Sequence, residues 1–361
     1  MSSGPRARIN VAALRHNLGV VRERAAGARV MAVIKANAYG HGLIATAQAL
    51  SGADALGVAR LEEGTALRDA GINQKIVLLE GVFSAEDLVL AAARGCEIVV
   101  HSQAQLALLE QWVGPGQIPV WFKIDSGMNR LGFRLEYSLS AWERLLRTKR
   151  VLGVPRLMTH LAVADERNDG RTLEQIREFT SAVATLPGSA AAERSIANSA
   201  GLLAWPQARV EWVRPGLMLY GISPFRHELA RDLGLKAAMT LTTKLIAVGE
   251  VAPGEGVGYG AAWRATRRAL IGIAAVGYGD GYPRHMKSGS PVLVNGRKVT
   301  LAGRVSMDMI AVDITDAPAS VGDPVVLWGD GLPAEQMALH ADTIPYELVC
   351  GVSQRVQVEY K

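Results

Sequence analysis

The chain has 361 residues, of which 49% are hydrophobic and 20% are charged. A chain of this length and composition forms a sizeable core in two domains, or in one large α/β barrel with an appendage, which excludes a disordered protein. The net charge of +5 comes from Lys and Arg spread along the whole sequence. This spread does not indicate a nucleic-acid-binding surface, whereas a small acidic substrate would suit a positive protein.

The sequence shows neither a membrane span nor a secretory signal. No stretch approaches about 18 apolar residues, and Arg6, Arg8 and Arg15 interrupt the N-terminal region, so we expect a cytoplasmic protein. Cys96 and Cys350 are too few for a disulfide framework or a cysteine zinc site. We expect each cysteine to be a small buried hydrophobic residue.

Short apolar runs alternate with amphipathic helical runs from residue 30 to about residue 221. The apolar runs are continuous, as in strands of a parallel sheet that is covered on both faces. The predicted strands are Val30–Lys35, Ala55–Ala59, Lys75–Leu79, Glu97–His101, Pro119–Asp125, Arg156–Leu161, Arg194–Ala197 and Val210–Arg214. Eight strands alternating with helices favour an N-terminal (β/α)₈ TIM-like barrel over an open sheet.

After about residue 228 the pattern changes to short β-rich runs separated by turn residues. The predicted strands are Met239–Val251, Ala269–Val276, Pro291–Val294, Lys298–Ala302, Met309–Val312 and Pro324–Leu327. Asn295-Gly296 between two of these runs is a strong hairpin signal. The sequence therefore predicts a barrel over residues 1–228 and a mostly-β domain over residues 229–361, and the extreme N-terminal strand could pair with the latter.

Functional residues of such a barrel follow the carboxyl ends of its strands. Lys35 closes the first predicted strand, and a desolvated lysine suits Schiff-base chemistry. Ser199 and the backbone of Gly216 and Leu217 follow the seventh and eighth strands, where this architecture commonly binds phosphate. Arg214 could face a pyridine nitrogen. A lysine, a phosphate cradle and a cationic ring partner together indicate pyridoxal phosphate.

Each of these residues also has a simpler interpretation when it is taken alone. Lys35 could extend its charged end into solvent, Arg214 could form a surface ion pair, and His160 could be a hydrogen-bonded core histidine.

The segment Val33-Ile-Lys35-Ala-Asn-Ala-Tyr39-Gly-His-Gly42 resembles the pyridoxal-phosphate signature of bacterial alanine racemases. Further motifs of that family follow over essentially the whole chain: Asp125–Leu131, His160, Asn198–Gly201, Val213–Gly221, Gly256–Gly260, Gly277–Gly281, Gly303–Asp308 and Pro345–Glu347. The resemblance implies a barrel with a C-terminal β-domain, and an isomerase that interconverts L- and D-alanine for peptidoglycan synthesis or alanine catabolism. It also implies a head-to-tail homodimer whose active sites are each completed by the partner's β-domain.

The resemblance assigns the catalytic and cofactor roles residue by residue. Lys35 would hold pyridoxal 5'-phosphate as an aldimine, and Tyr259, reaching in from the other subunit, would be the second catalytic base. Arg214 would bind the pyridine nitrogen, with His160 linked to it. The matching phosphate-binding positions are Tyr39, Ser199, Gly216, Leu217 and Tyr346.

The substrate-binding and supporting positions follow in the same way. Arg130 and the backbone of Met307 would bind the substrate carboxylate. Lys123 matches a lysine that can be carbamylated in relatives and that then orients Arg130. The entrance positions are Tyr278, Arg304 and Asp308. The sequence departs from the family pattern at Asn129, Gly258 and Ser306, where relatives commonly have glycine, serine and cysteine.

The two proposed bases suit a reversible racemisation, because they act on opposite faces of the substrate. A tyrosine has an ordinary pKa of about 10, which must fall for it to act as a base at neutral pH. We expect cationic neighbours such as His160 and Arg214 to lower the pKa of Tyr259.

Three other functions compete with this interpretation. The Gly256–Ala261 segment, with Asp280 about 20 residues further on, has the spacing of a dinucleotide fingerprint. Only nine residues, Ala261 to Ala269, separate Gly260 from Leu270 in the next strand. A parallel crossover needs about a dozen or more, so an oxidoreductase is a weak alternative. A barrel-type amino-acid decarboxylase and a non-catalytic pyridoxal-phosphate carrier share the lysine and the phosphate cradle. No motif supports a metal site.

Overall fold

The first strand of the chain joins the sheet of the second domain. In the computed structural model, which describes residues 4–113 and 115–361, β1 (Arg6–Ile9) pairs with one strand near residue 240 and another near residue 358. Its partners run antiparallel and parallel to it, respectively. Asn10 then begins the first helix, because its side chain accepts a hydrogen bond from the backbone N–H of Ala13.

Eight parallel strands close into the barrel, and this part of the fold prediction is confirmed. In chain order the eight strands are β2 (Arg29–Val33), β3 (Ala55–Val58), β4 (Lys75–Leu78), β5 (Cys96–Val100), β6 (Val120–Asp125), β8 (Arg156–Met158), β9 (Arg194–Ser195) and β10 (Trp212–Val213). A short additional strand, β7 (Phe133–Arg134), pairs with the end of β6 and lies outside the ring. Pairings of β2 with β10 and of β5 with β6 close the ring.

The helices of this domain alternate with the barrel strands. They are α1 (Val11–Ala25), α2 (Lys35–Tyr39), α3 (Leu43–Ala49), α4 (Leu61–Asp69), α5 (Ala85–Ala93), α6 (Gln103–Gln111), α7 (Leu135–Arg147), α8 (Arg171–Thr185) and α9 (Ser199–Ala204). Ser84 and Ser102 cap α5 and α6 through their hydroxyl groups, which explains why those helices begin where they do.

The inside of the barrel is filled towards the amino-terminal ends of the strands. Trp121 and Trp212 lie edge to face there, with their ring centres 5.5 Å apart. The buried Glu97 carboxylate accepts hydrogen bonds from Trp121 Nε1 at 2.7 Å and from Arg156 Nη1 at 2.9 Å. Because side chains occupy this end, a ligand has to enter at the opposite end, where Lys35 lies.

The C-terminal domain is built on a closed ring of six strands, and all six predicted β-rich runs contribute to it. Its strands are β11 (Met239–Val251), β12 (Gly256–Val257), β13 (Trp263–Arg264), β14 (Ala269–Ala274), β15 (Pro291–Val294), β16 (Arg297–Leu301), β17 (Ile310–Asp313), β18 (Pro324–Trp328) and β19 (Gln357–Tyr360). β15 and β16 form the expected hairpin. Two short helices that the sequence did not predict follow, α10 (Ala334–His340) and α11 (Pro345–Cys350).

Within residues 4–113 and 115–361, the helices are all too short or too polar to cross a membrane.

Candidate active site

The turn that carries Lys35 has an unusual backbone. β2 ends at Val33, two residues before the predicted strand end, and Lys35 opens α2. The next four residues, Ala36 to Tyr39, have φ values of 53°, 53°, 54° and 52°, so this turn is left-handed. That conformation is costly for residues with a Cβ atom, and the surroundings must hold it in place.

Local hydrogen bonds and close packing hold the left-handed turn. The Asn37 side chain accepts from the backbone N–H of Leu43 at 2.8 Å. His41 Nδ1 donates to the carbonyl oxygen of Tyr39, also at 2.8 Å. At Gly40, a Cβ atom would lie 2.1 Å from the carbonyl oxygen of Val349 in α11, so only glycine fits there. The C-terminal domain thus contacts the lysine-bearing turn directly.

A cavity of about 560 Å³ opens at the carboxyl ends of the barrel strands, and Lys35 lines it. Three further cationic side chains line the same cavity: Lys123, Arg130 and Arg214. Glu80 is the carboxylate among the lining residues. This excess of positive charge favours an anionic ligand.

Arg214 and His160 lie together in the wall of this cavity. Arg214 donates to the Ser195 hydroxyl at 2.6 Å and to the Thr159 carbonyl oxygen at 2.5 Å, and its Nη2 lies 3.4 Å from His160 Nδ1. Burial lowers the pKa of Arg214 to about 10, which leaves the guanidinium charged at neutral pH. Burial, followed by the charge of Arg214, lowers the pKa of His160 well below its ordinary value. His160 is therefore neutral, and the expectation of a cationic histidine was wrong.

The expected phosphate-binding residues come together with one exception. Tyr39, Ser199, Gly216 and Tyr346 line the cavity, whereas Leu217, which was selected for its backbone, is buried and is not a lining residue. Ser199 Oγ accepts from the backbone N–H of Gly216 at 3.0 Å, so its own proton remains available to a ligand. A Cβ atom on Gly216 would lie 2.5 Å from the Tyr39 hydroxyl oxygen, so a larger residue here would displace the Tyr39 side chain.

Lys123 lies at the end of β6, where burial has a strong effect on its charge. Burial, followed by the nearby Arg214 and Arg130 cations, lowers the pKa of Lys123 to about 8. A larger fraction of its amine is therefore neutral near pH 7 than for an exposed lysine. The neutral amine is the form that can react with an electrophile such as carbon dioxide.

The remaining predicted residues form a separate cluster on the β-domain. These residues are Tyr259, Tyr278, Arg304, Met307 and Asp308. None of the five lines the cavity around Lys35 in the same chain. Tyr259 is 69% exposed and Met307 is 53% exposed. The Met307 carbonyl oxygen accepts from the backbone N–H of Gly279 at 2.9 Å, and Asp308 pairs with Arg355 at 2.7 Å.

The structure also adds residues that the sequence analysis did not select. Glu80 lies just past the end of β4, a position that the strand-end rule could have found. Cys350 is exposed and lines the cavity, so the expectation that both cysteines are buried was wrong for this residue and right for Cys96. Asn129 has a φ of 57°, and asparagine tolerates this left-handed region, which explains how it replaces the common glycine.

The family comparisons agree with this geometry over both domains. Residues 9–224 match the model described as "Alanine racemase, N-terminal domain", and residues 238–360 match "Alanine racemase, C-terminal domain". The chain is 53% identical over 353 residues to an alanine racemase of Nitrosococcus oceani, with 98% of each chain covered. It is 50% identical over 355 residues to that of Aliivibrio salmonicida, again with 98% of each covered.

Solved structures give the same result. A biosynthetic alanine racemase from Pseudomonas aeruginosa is 43% identical and superposes with a TM-score of 0.95 over 100% of both chains. An alanine racemase from Acinetobacter baumannii is 36% identical, with a TM-score of 0.94 and the same coverage. Both domains, their order and the whole length of the fold are shared, and the chain belongs to the alanine racemase family.

Proposed function

We propose that this protein is a pyridoxal-phosphate-dependent enzyme that interconverts L-alanine and D-alanine. The observation that carries the proposal is the placement of the Lys35 amine in a cationic cavity with the buried Arg214 and the Ser199–Gly216 cradle. A decarboxylase and a non-catalytic carrier would share the lysine, but the matched β-domain is that of the racemases.

The residues present fit pyridoxal phosphate. The Ser199 hydroxyl and the close approach of Tyr39 to Gly216 leave a small polar cradle for a phosphate, and Lys35 lies on the same cavity. When it is attached to Lys35, the cofactor supplies an electron sink that makes the α-proton of the substrate acidic. The charged Arg214 guanidinium would bind the pyridine nitrogen of the cofactor and would favour its unprotonated form.

Two bases on opposite faces of the substrate carry the proton. The Nζ of Lys35 holds the proton on one face, and the hydroxyl oxygen of Tyr259 holds it on the other. Tyr259 is absent from the cavity of its own chain, so we propose that it enters the cavity of a partner subunit in a homodimer. Tyr278, Arg304 and Asp308 would then border the entrance of the partner's site.

The substrate carboxylate needs a cationic partner close to the bases. Arg130 lines the cavity and can bind a carboxylate through two parallel N–H donors. The backbone N–H of the partner's Met307 would complete this contact. A carbamate formed on the neutral amine of Lys123 would carry a negative charge and orient Arg130.

The reaction would supply D-alanine for peptidoglycan or serve alanine catabolism, and we place it in the cytoplasm. The test is to incubate the purified protein with L-alanine, with and without added pyridoxal phosphate, and to measure D-alanine with an enantiomer-specific coupled assay. Proton NMR in heavy water is run in parallel. We expect D-alanine to form and the α-position to gain deuterium. Release of carbon dioxide would instead identify a decarboxylase. If the protein forms neither D-alanine nor carbon dioxide, it is a non-catalytic carrier.

Lys35→Ala tests the attachment site directly. We expect this variant to lose both the visible absorbance of the lysine-bound cofactor and the racemase activity, because the amine that forms the bond is gone. Borohydride reduction followed by peptide mapping checks the position of the label. A Lys35→Ala protein that stays yellow after reduction and dialysis, with the label on another lysine, would refute the assignment.

A further inference from the structure

Arg355 links two turns of the β-domain, and none of the roles assigned so far uses it. It lies between α11 and β19. Its Nη2 donates to Asp308 Oδ1 at 2.7 Å, and its Nε lies 3.3 Å from Asp280 Oδ1. Asp280 belongs to the Tyr278 turn (residues 277–281), and Asp308 ends the Met307 turn (residues 306–308). One guanidinium therefore joins both turns.

The buried carboxylate of Asp280 fixes the position of Arg355. The Asp280 side chain is only 4% exposed, and its Oδ2 accepts from the backbone N–H of Gly277 at 2.9 Å. A buried carboxylate that loses its cationic partner is strongly unfavourable, whereas an exposed ion pair contributes little. Because Asp280 requires a cation at this point, the Arg355 guanidinium is held there although its own side chain is half exposed.

The two turns also contact each other through their backbones. The N–H of Tyr278 donates to the Ser306 carbonyl oxygen at 3.0 Å, and the N–H of Gly279 donates to that of Met307 at 2.9 Å. A Cβ atom on Gly277 would lie 2.2 Å from the Met307 carbonyl oxygen. The peptide group between Ser306 and Met307 therefore rests directly on the Tyr278 turn.

This packing determines where the Met307 N–H points. The peptide group between Ser306 and Met307 is trans, and in a trans peptide the C=O and the N–H point in opposite directions. Since the Ser306 oxygen faces the N–H of Tyr278, the Met307 N–H points away from the Tyr278 turn. It donates to no acceptor in the part of the chain that the structure describes, so it is available to an external carboxylate.

We infer that Arg355 is a positioning residue, which fixes the direction in which the Met307 N–H donates to the substrate carboxylate. The inference rests on the proposed function, in which Met307 reaches the site of the partner subunit. Arg355 acts from both sides of the Met307 peptide, because it binds Asp308, the next residue, and Asp280, in the turn beneath. Its Nη1 also lies 2.5 Å from where a Cβ atom on Gly279 would be, so the guanidinium packs closely on that turn.

The experiment measures the binding of propionate, which has the carboxylate of alanine but no amino group. The holoenzyme is deuterated and labelled with ¹⁵N-methionine, and the Met307 amide signal is assigned by its loss in Met307→Leu. Arg355→Gln removes the link between the turns. The matched control is Arg267→Gln, which removes an exposed ion pair with Asp316 in the same domain.

We expect propionate to shift the Met307 amide signal of the original protein saturably. Arg355→Gln should move this signal before propionate is added and should weaken propionate binding about tenfold, as for one lost hydrogen bond to a charged group. The KM for L-alanine should rise similarly, whereas kcat should change less, because Lys35 and Tyr259 are intact. Arg267→Gln should behave as the original protein does. Equal propionate affinities of Arg355→Gln and Arg267→Gln would refute the role of Arg355.

Arg355→Lys tests the link with less risk to folding, since it keeps the charge. A single ammonium group lacks the fork that reaches two carboxylates, so we expect propionate binding to weaken by about two- to fivefold. Binding as tight as in the original protein would refute the inference. If propionate does not move the Met307 amide signal of the original protein, the proposed role of Met307 fails and this inference fails with it. The coupled D-alanine assay of the original protein tests the proposed activity separately.

Discussion

Arg214 and His160 lie side by side, and burial affects their charges differently. A guanidinium has such a high ordinary pKa that lowering it to about 10 leaves the charge in place. Imidazole titrates near neutrality, so burial beside a cation suffices to keep His160 neutral. His160 Nδ1 can thus accept a hydrogen bond from Arg214, and this contact orients the guanidinium in the cavity. The pair supplies one positive charge to the proposed site.

Tyr259→Phe is expected to separate the two directions of the reaction. By the family resemblance, Lys35 handles the α-proton of D-alanine and Tyr259 that of L-alanine. In heavy water the variant should still exchange the α-proton of D-alanine slowly and without inversion, whereas exchange of L-alanine should fall much further, since a general base typically contributes about 10²–10⁴-fold. Proton NMR of each enantiomer measures this. Equal residual exchange from the two enantiomers would argue against two dedicated bases. Faster exchange of L-alanine than of D-alanine would mean that the two roles are the opposite of those assigned here.

His41 is expected to make the protein less stable in mild acid. Its pKa is about 4 in the folded protein and about 6.5 ordinarily, so the unfolded chain binds more protons between these values. The free energy of unfolding should therefore fall as pH decreases from about 6.5 to about 4, by up to about 1.4 kcal/mol per pH unit for this one proton. Denaturant titrations at several pH values should show a shallower dependence for His41→Asn. If the unfolding free energies of the two proteins change with pH in the same way, the pH dependence does not come from His41.

The left-handed turn at Ala36 to Tyr39 is the element whose geometry most directly affects the proposed chemistry. Four consecutive residues with positive φ are unfavourable for an isolated segment. That cost is outweighed by three contacts: the stacking of the Tyr39 and Tyr220 rings, the hydrogen bond from His41 and the contact of Gly40 with α11. The position of Lys35 consequently depends on contacts from the second domain as well as on the barrel.

Ala36→Gly tests the strain in this element. Ala36 is exposed and has a φ of 53°, so glycine should relieve about 1–2 kcal/mol of strain and cost about 0.5–1 kcal/mol in chain entropy. We expect the free energy of unfolding to rise by up to about 1 kcal/mol in denaturant titrations. The matched control is Ala45→Gly in the right-handed helix α3, which should lose about 1 kcal/mol. A loss of the same size at Ala36 would show that the turn is right-handed in solution.

At the scale of the whole molecule, the proposed site is divided between two surfaces. The cavity around Lys35 belongs to the barrel, and the exposed cluster around Tyr259 belongs to the β-domain. Tyr259 and Met307 are both largely exposed on this second surface. A homodimer that places one surface against the other accounts for both features.

Mixed dimers test this arrangement. Lys35→Ala and Tyr259→Phe homodimers should each be nearly inactive. After the two are mixed, dissociated and re-associated, each hybrid dimer should contain one site with both bases intact, so a random mixture should recover about a quarter of the original activity. Sedimentation and the coupled D-alanine assay measure assembly and activity. If Tyr259 served its own subunit, each hybrid site would lack one base and no activity would return.

Local sequence patterns predicted most of the fold and many of the site positions. The alternation of apolar runs and helices predicted all eight barrel strands, because strand and helix periodicity is a local property. Turn residues such as Asn295-Gly296 predicted the β-rich domain for the same reason. The motif around Lys35, together with the later motifs in order, indicated the family that the comparisons show.

Only the tertiary structure decided how those residues behave. The neutral state of His160, the lowered pKa of Lys123 and the unpartnered Nε2 of His41 all depend on burial by residues distant in sequence. The left-handed turn at Lys35 depends likewise on α11, more than 300 residues further along the chain. Desolvation and packing arise from atoms that the fold brings together, so a pattern read along the chain does not contain them.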